Sequence, residues 1–167
     1  MNRDKHCRIE VHAPARVLEF VAYRWPGSGL DTAIWPLAAG AVEREDASRP
    51  CMLHFAPGRW LVPDPVGVIE HRLDEAARAG AGTQLDVTGK WQRISITGPG
   101  AARVLASTIE PDSILADRDC AAVVLFDCPS IIARSAAGYE LWVHASYSAD
   151  FLATAGRFQA ALQNAEG

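Results

Sequence analysis

The chain has 167 residues, with 16 lysines and arginines against 20 aspartates and glutamates, and a net charge of −4 at pH 7. This length corresponds to about one domain, and the acidic balance argues against nucleic-acid binding, which usually requires a basic surface. Hydrophobic residues make up 49% and charged residues 22% of the sequence, values near the globular average that exclude general disorder.

Residues 1–8 are predicted to form a polar tail without the apolar segment that a secretory signal needs. The sequence contains no uninterrupted run of 18 apolar residues, so we expect no membrane association. The cysteines are widely spaced and include no CxxC pair, and they are expected to be buried, reduced thiols; they are Cys7, Cys51, Cys120 and Cys128. These features together predict a cytoplasmic protein.

The first half of the chain is predicted to form short strands around one helix. The predicted strands are 9–24 with a break at Pro14, 52–55, 60–62 and 83–88. The stretch 25–50 is rich in proline, glycine and charge, and is interpreted as a long loop. Asp64 is expected to cap a helix that begins at Pro65 and ends before Gly80.

The second half repeats this alternation of strands and helices. The predicted strands are 91–96, 121–126, 131–134 and 139–144, and the predicted helices are 100–108 and 148–163. Residues 109–119 are expected to be a loop, and the apolar run 121–126 has the length of a fully buried strand. Gly156 lies inside the last helix at a cost of about 1 kcal/mol, which predicts close packing against another backbone.

This element order predicts an α+β protein in which antiparallel sheets are covered by helices. We expect a single domain over 9–167, with two sub-lobes of about 9–90 and 91–167 suggested by the repeated pattern.

Two aspartates and two histidines are candidates for chemistry, but each has a structural interpretation that the sequence favours. Asp86 lies near a strand end and Asp127 follows a predicted strand, positions at which turn formation is the common role of aspartate. His54 and His144 lie within predicted strands, where a hydrogen-bonded structural role is more common than catalysis. We therefore predict no catalytic residue in this chain.

Two further motifs contain residue types found in ligand-binding sites, but the sequence favours a structural interpretation of each. Gly98–Arg103 is a glycine-rich turn into a helix, but Arg103 occupies the place where a dinucleotide-binding fingerprint needs a small residue. It is interpreted as a tight connection. His6, Cys7 and His12 are metal-binding residue types in a short span, but the tail at this end of the chain is expected to be mobile, so we predict neither a metal nor a cofactor site.

The five tryptophans suggest a docking surface. Trp25 and Trp35 lie in the loop-rich stretch, and tryptophan is enriched at protein interfaces. Burial beneath the chain's own loop is the alternative. The candidate partner interface consists of Trp25, Trp35, Arg59 and Trp60.

Three segments resemble the gamma subunit of heterotetrameric sarcosine oxidase. Phe55–Val62 is similar to that family's Gly-Pro-x-Glu-Trp-Leu segment. Leu85–Thr88 with Ile94–Leu105 is similar to a block shared with the aminomethyltransferases, which include the glycine-cleavage T-protein. Gly138–Val143 is similar to their Gly-Tyr-Glu-Leu-x-Val segment.

The resemblance implies the folate-binding aminomethyltransferase fold with ferredoxin-like β-α-β units. It implies a non-catalytic gamma subunit that serves the assembly of a flavoenzyme complex, which oxidatively demethylates sarcosine. The alpha, beta and delta subunits would be its partners, and they would carry FAD, FMN, NAD, zinc and tetrahydrofolate.

Two departures from the family pattern affect this expectation. T-proteins hold the folate pterin with the acid of a Gly-Glu pair, and this chain has Ser135, Ala136 and Ala137 at that place. We therefore expect weak folate affinity, because no acid there accepts the pterin N–H groups. Arg59 replaces the family's glutamate before the tryptophan.

Two alternatives remain open from the sequence. The chain could be a stand-alone folate-binding or aminomethyltransferase-like protein, with Asp86 and Asp127 as polar contacts. It could also bind an unrelated small molecule on the same fold, because a fold does not determine a function.

Overall fold

The computed structural model describes residues 7–13, 16–24, 40–44 and 50–165. Within these ranges it contains two five-stranded sheets and four α-helices. The strands are β1 (Arg8–His12), β2 (Val17–Ala22), β3 (Val42–Arg44), β4 (Pro50–Ala56), β5 (Arg59–Pro63), β6 (Gly82–Asp86), β7 (Trp91–Thr97), β8 (Cys120–Leu125), β9 (Cys128–Ser135) and β10 (Gly138–His144). The helices are α1 (Gly67–Arg78), α2 (Ala101–Leu105), α3 (Pro111–Ile114) and α4 (Ser148–Ala165), with a 3₁₀ turn at Ala145–Tyr147.

The chain divides into two compact units. The first unit comprises Pro14–Thr88 and Arg118–Ala121, and the second comprises Met1–Ala13, Gly89–Asp117 and Ala122–Gly167. The strand β1 therefore belongs to the unit formed mainly by the C-terminal half, because β1 pairs with β7.

The sheet of the first unit has the strand order β3-β4-β5-β2-β6. Both β5 and β6 are antiparallel to the β2 strand that lies between them, so β5 and β6 run parallel to each other. The helix α1 connects them, which makes β5-α1-β6 a split β-α-β unit of the ferredoxin-like type. The α+β prediction is confirmed.

The helix α1 covers the apolar face of this sheet. Ile69 and Leu73 pack into a cluster of buried side chains on the strands; the strand members are Leu18, Phe20, Met52, Trp60 and Val62. The helix ends as the sequence predicts, because Gly80 has a positive φ of 74° and its N–H donates to the Ala77 carbonyl. The Ala81 N–H donates to the Ala76 carbonyl, which completes a Schellman motif.

The prediction that Asp64 caps α1 is wrong. The N-cap residue is Val66, which makes no side-chain cap bond, and the helix begins at Gly67. Asp64 has a φ of 45°, and its Oδ1 accepts a hydrogen bond from the Arg16 backbone N–H at 3.2 Å. The carboxylate thus stabilises the approach to β2 rather than the helix terminus.

The sheet of the second unit has the order β1-β7-β10-β9-β8. The strand β7 is antiparallel to its two neighbours, β1 and β10, and Ile94 lies opposite Leu141 while Ile96 lies opposite Tyr139. These four side chains are buried. The helices α2 and α4 contact β10.

Several element predictions are corrected by the structure. The run 121–126 is not a fully buried strand: β8 lies at a sheet edge, and the Val124 side chain is exposed. The predicted loop 109–119 contains α3, and the predicted helix 100–108 is the shorter α2. The predicted loop 25–50 contains β3, and β4 begins at its last residue.

The prediction that Gly156 packs against another backbone is also wrong, because a Cβ atom at this position would meet nothing within 4 Å. Gly156→Ala should therefore raise the free energy of unfolding by about 0.5–1 kcal/mol, the ordinary helix preference for alanine. Urea denaturation measures this change.

Gly82→Ala is the matched comparison, since its Cβ would lie 2.4 Å from the Val21 carbonyl oxygen and 2.6 Å from the Phe20 ring. This variant should lose about 1–3 kcal/mol. Equal stability changes for the two variants would contradict the packing described here.

Candidate functional site

The four residues of the predicted partner interface differ in their surroundings. Trp25 and Trp35 lie outside the described residues. The Arg59 side chain is 45% exposed, whereas Trp60 is 0% exposed. The Trp60 ring stacks on His54 with centroids 4.3 Å apart and belongs to the cluster beneath α1. Of the two described residues, only Arg59 has a solvent-exposed side chain, and the interface as a whole stays a prediction.

Arg59 pairs with a glutamate buried in the neighbouring strand. Its Nε donates to Glu19 Oε1 at 2.8 Å, and its Nη2 also donates to that oxygen. Glu19 is 2% exposed on β2. The guanidinium carbon lies 5.3 Å from the centroid of the Phe55 ring. A glutamate in place of Arg59 would lie next to the Glu19 carboxylate and would lose this pairing.

The second unit carries its own polar cluster on the face of β7 opposite Ile94 and Ile96. Arg93 Nε donates to Glu140 Oε2 at 2.8 Å, and His12 Nε2 lies 2.8 Å from Ser95 Oγ. Sequence reasoning missed both pairs. The sequence signal for these pairs is the alternation that places Arg93, Ser95 and Thr97 on one face of β7. Their partners could not be predicted, because the partner strands are far away in the sequence.

The Gly138–Val143 segment, similar to a family motif, begins beside a hydrogen-bonded triad. The Tyr139 hydroxyl donates to Asp112 Oδ1 at 2.9 Å, and Arg134 Nη1 donates to the same oxygen at 3.0 Å. Burial and the hydrogen bond to Asp112 raise the pKa of Tyr139 to about 12. The hydrogen bonds from Tyr139 and Arg134 lower the pKa of Asp112.

The triad lies near the place where T-proteins are expected to carry a pterin-binding acid. Ser135 ends β9, and Gly138 begins β10 with a φ of 152°. Asp112 is an acid close to this turn, but its Oδ1 accepts bonds from two of the chain's own side chains. Its position on α3 anchors that helix to the sheet.

The sequence-predicted aspartates occupy turns. Asp86 Oδ1 accepts from the Thr88 N–H at 3.0 Å and from Thr88 Oγ1 at 2.7 Å, and these bonds lower the pKa of Asp86. Asp127 has a φ of 62° in the β8–β9 turn beside Phe126, whose φ is 49°. The turn interpretation is confirmed for both aspartates.

The two strand histidines are hydrogen-bonded within the fold. His54 Nε2 accepts from the Gly58 N–H at 3.2 Å, which closes the β4–β5 turn. His144 Nδ1 lies 2.7 Å from Ser146 Oγ, and the His144 ring meets Trp91 edge-on at 5.9 Å. These contacts give both histidines a role within the fold, and the absence of a catalytic role stays a prediction.

The predicted tail residues and cysteines are placed as follows. Cys7, Cys120 and Cys128 are buried free thiols, and burial raises the pKa of Cys7 and Cys128. His6 lies outside the described residues. Among the residues that are described, no group of three or more histidine, cysteine, aspartate or glutamate side chains is arranged to hold a metal ion.

The turn at Gly98–Arg103 closes tightly into α2 as predicted, because the Ala101 N–H donates to the Gly98 carbonyl at 3.0 Å. In the described part of the chain, no helix has both the length and the apolar character needed to cross a membrane.

Comparison with known proteins agrees with the α+β class defined by the two antiparallel sheets and their helices. No protein-family model and no curated protein sequence matches the chain. Among solved structures, a chain of the heterotetrameric sarcosine oxidase from Corynebacterium sp. U-96, in complex with pyrrole 2-carboxylate, is similar with a TM-score of 0.74. The sequence identity is 17%, and the match covers 95% of this chain and 86% of that chain. At this identity the likeness establishes the fold.

The Glu19–Arg59 pair makes a testable contribution to stability. Arg59→Ala should lower the free energy of unfolding by about 1–3 kcal/mol, because the buried Glu19 carboxylate loses two hydrogen bonds. Chemical denaturation measures the loss. Arg157→Ala is the control, since its bonds lie on the exposed face of α4, and it should change stability by less than about 0.5 kcal/mol. A double variant with Glu19→Gln should recover part of the loss; no recovery would contradict the electrostatic origin.

Tyr139 should make stability depend on alkaline pH. Its folded-state pKa of about 12 lies above the ordinary tyrosine value of about 10, so the neutral phenol is favoured in the folded protein. Its contribution is fully present below pH 10 and is lost as the pH rises toward 12, by about 1–3 kcal/mol.

Denaturation at a series of pH values tests this. Tyr139→Phe should lose less stability than the wild type between pH 10 and 12, whereas Tyr147→Phe at an exposed position should behave as the wild type. Identical profiles for wild type and Tyr139→Phe would rule the linkage out.

Proposed function

We propose that the chain is a non-catalytic subunit of a sarcosine-oxidase-type flavoenzyme complex, in the position of the gamma subunit. The observation that carries this proposal is the extent of the structural likeness. Nearly the whole of this chain matches most of one chain of a heterotetrameric sarcosine oxidase. The matched chain is therefore only slightly longer than this one, as expected for a small subunit rather than a large catalytic one.

The candidate polar side chains form contacts within the fold, and this supports an assembly role rather than a catalytic one. Asp86 and Asp127 form turns, His54 closes a hairpin, and Asp112 holds Tyr139 and Arg134. Each of these side chains has a role in maintaining the fold. On this proposal the FAD, FMN, NAD, zinc and tetrahydrofolate sites lie on the alpha, beta and delta subunits, and the complex is cytoplasmic.

The proposed contribution of this chain is a rigid surface for the larger subunits. Arg59 is held by Glu19 and lies over Phe55, so its exposed guanidinium edge is fixed in place. A fixed arginine loses little conformational freedom on binding, which is one reason why arginine is enriched at interfaces. Trp25 and Trp35 are the further aromatic contacts that we propose for this interface.

A stand-alone folate-binding or aminomethyltransferase-like protein is the second candidate, supported by the resemblance of Gly138–Val143. The replacement of the expected acid by Ser135, Ala136 and Ala137 counts against it. Micromolar binding of tetrahydrofolate to the pure chain would favour this candidate over the subunit proposal.

Purification of a tagged copy from its native cells tests the subunit proposal. We expect larger subunits to co-purify, to show flavin absorbance and to oxidise sarcosine, while the chain purified alone after heterologous expression is colourless. A colourless native preparation without partners, or flavin bound to the isolated chain, would reject the proposal.

The same purification tests the interface residues. Trp25→Ala and Trp35→Ala should reduce the recovery of the flavin-bearing subunits. Tyr147→Ala removes an aromatic side chain that is exposed on the described surface, and it should recover these subunits as the wild type does. Equal recovery with all three variants would remove the two tryptophans from the interface.

A further inference from the structure

The edge strand β8 lacks the features that normally prevent a sheet edge from pairing with another chain. Its sequence, Cys-Ala-Ala-Val-Val-Leu, contains no charged residue and no proline. Charges, prolines and bulges are the devices that natural edges use against pairing. The opposite edge of the same sheet, β1, carries Arg8, Glu10 and His12. One edge of this sheet thus carries charged side chains, and the other carries none.

The backbone of β8 offers its hydrogen-bonding groups on the outer side. The Cys120 N–H donates to the Gly40 carbonyl at 2.9 Å, outside the β8–β9 pair. Backbone N–H and C=O groups alternate in direction along a strand, so those of Ala122 and Val124 point to the same outer side as those of Cys120. The β8–β9 turn leads to the same assignment. A two-residue turn at Phe126 and Asp127 pairs Leu125 with Cys128, so the backbone groups of Leu125 point toward β9 and those of Val124 point outward.

In the part of the chain that the structure describes, no other strand pairs with this outer side of β8. Val124 is 60% exposed, and Ala122 is also exposed. Two residues with outward N–H and C=O groups provide four backbone bonds, which is the pattern that strand addition uses.

The charge at the hairpin end of β8 limits which segment fits. Asp127 is exposed in the turn, and Asp150 is exposed in the first turn of α4. Cys128 follows Asp127 at the start of β9; burial raises the pKa of its thiol, and the negative charges of Asp150 and Asp127 raise it further. The free edge therefore combines an apolar strand with a negative end.

We propose that the outer edge of β8 at Ala122 and Val124 binds an extended segment of another protein chain. This segment is apolar at alternate positions and places a lysine or arginine beside Asp127 and Asp150. Main-chain hydrogen bonds supply the binding, and the two carboxylates select the basic residue. The inference goes beyond the proposed function and stands without it.

Peptide binding to the full chain tests the proposal. The probe is a synthetic peptide of alternating valine and threonine with a lysine at each end. Its controls are the same peptide with glutamate at each end and a version with methylated backbone nitrogens. We expect the lysine peptide to bind and to slow amide exchange at Ala122 and Val124. Binding of the methylated peptide with equal affinity, or no binding of the lysine peptide, would overturn the proposal.

Two variants localise the site. Val124→Lys should weaken binding of the lysine peptide at least about tenfold, whereas Val68→Lys, the same change at a 69% exposed position on α1, should leave binding unchanged. Asp127→Asn keeps a residue that tolerates the left-handed turn and should weaken binding several-fold. Unchanged binding in Val124→Lys would overturn the proposal.

Sedimentation of the wild-type chain distinguishes the occupants. A monomer that binds the lysine peptide supports a heterologous partner. A dimer that Val124→Lys converts to a monomer would assign the edge to a second copy and overturn the proposed partner.

Discussion

The packing of α1 against the sheet is the contact on which the first unit depends. The helix joins two strands that lie parallel on either side of β2, so it must cross the sheet and return the chain to the edge. Each large side chain that this crossing buries, such as Trp60 or Leu73, contributes about 1.5–3 kcal/mol of transfer free energy. The return is possible only because Gly82 has no Cβ atom to collide with Phe20. The packing of Phe20 in the core and the connection from α1 to β6 therefore both require glycine at position 82.

Ion pairs with buried carboxylates constrain the strand register in both sheets. Glu19 bonds Arg59 across neighbouring strands, and Arg93 bonds Glu140. A shift of one residue in a strand moves every side chain to the opposite face. In β2 such a shift would place the Glu19 carboxylate among the apolar side chains beneath α1, where it would lack its partner. The pairs therefore disfavour slipped alignments, whatever their net effect on stability.

Features determined by local chemistry could be predicted from the sequence. The β4–β5 hairpin, the Gly80 terminus of α1 and the turn role of Asp86 each depend on residues within a few positions of one another. Features determined by distant residues could not. The Arg59 partner is supplied by a strand 40 residues earlier, and α3 is held by Arg134, 22 residues later. An apolar run such as that of β8 is compatible with an edge strand and with a central strand, so its exposure could not be predicted without the strand order.

The pairing of β1 also has a consequence for the order in which the protein folds during synthesis. The His12–Ser95 bond spans 83 residues, and Gln159 reaches the Cys7 carbonyl across 152 residues. At about 5–20 residues per second, translation of the first of these spans takes roughly 4–17 s. During that time the strands β2 to β6 can already assemble around α1, whereas β1 has no neighbour to pair with. Its arginine, glutamate and histidine keep the nascent strand hydrated until β7 leaves the ribosome.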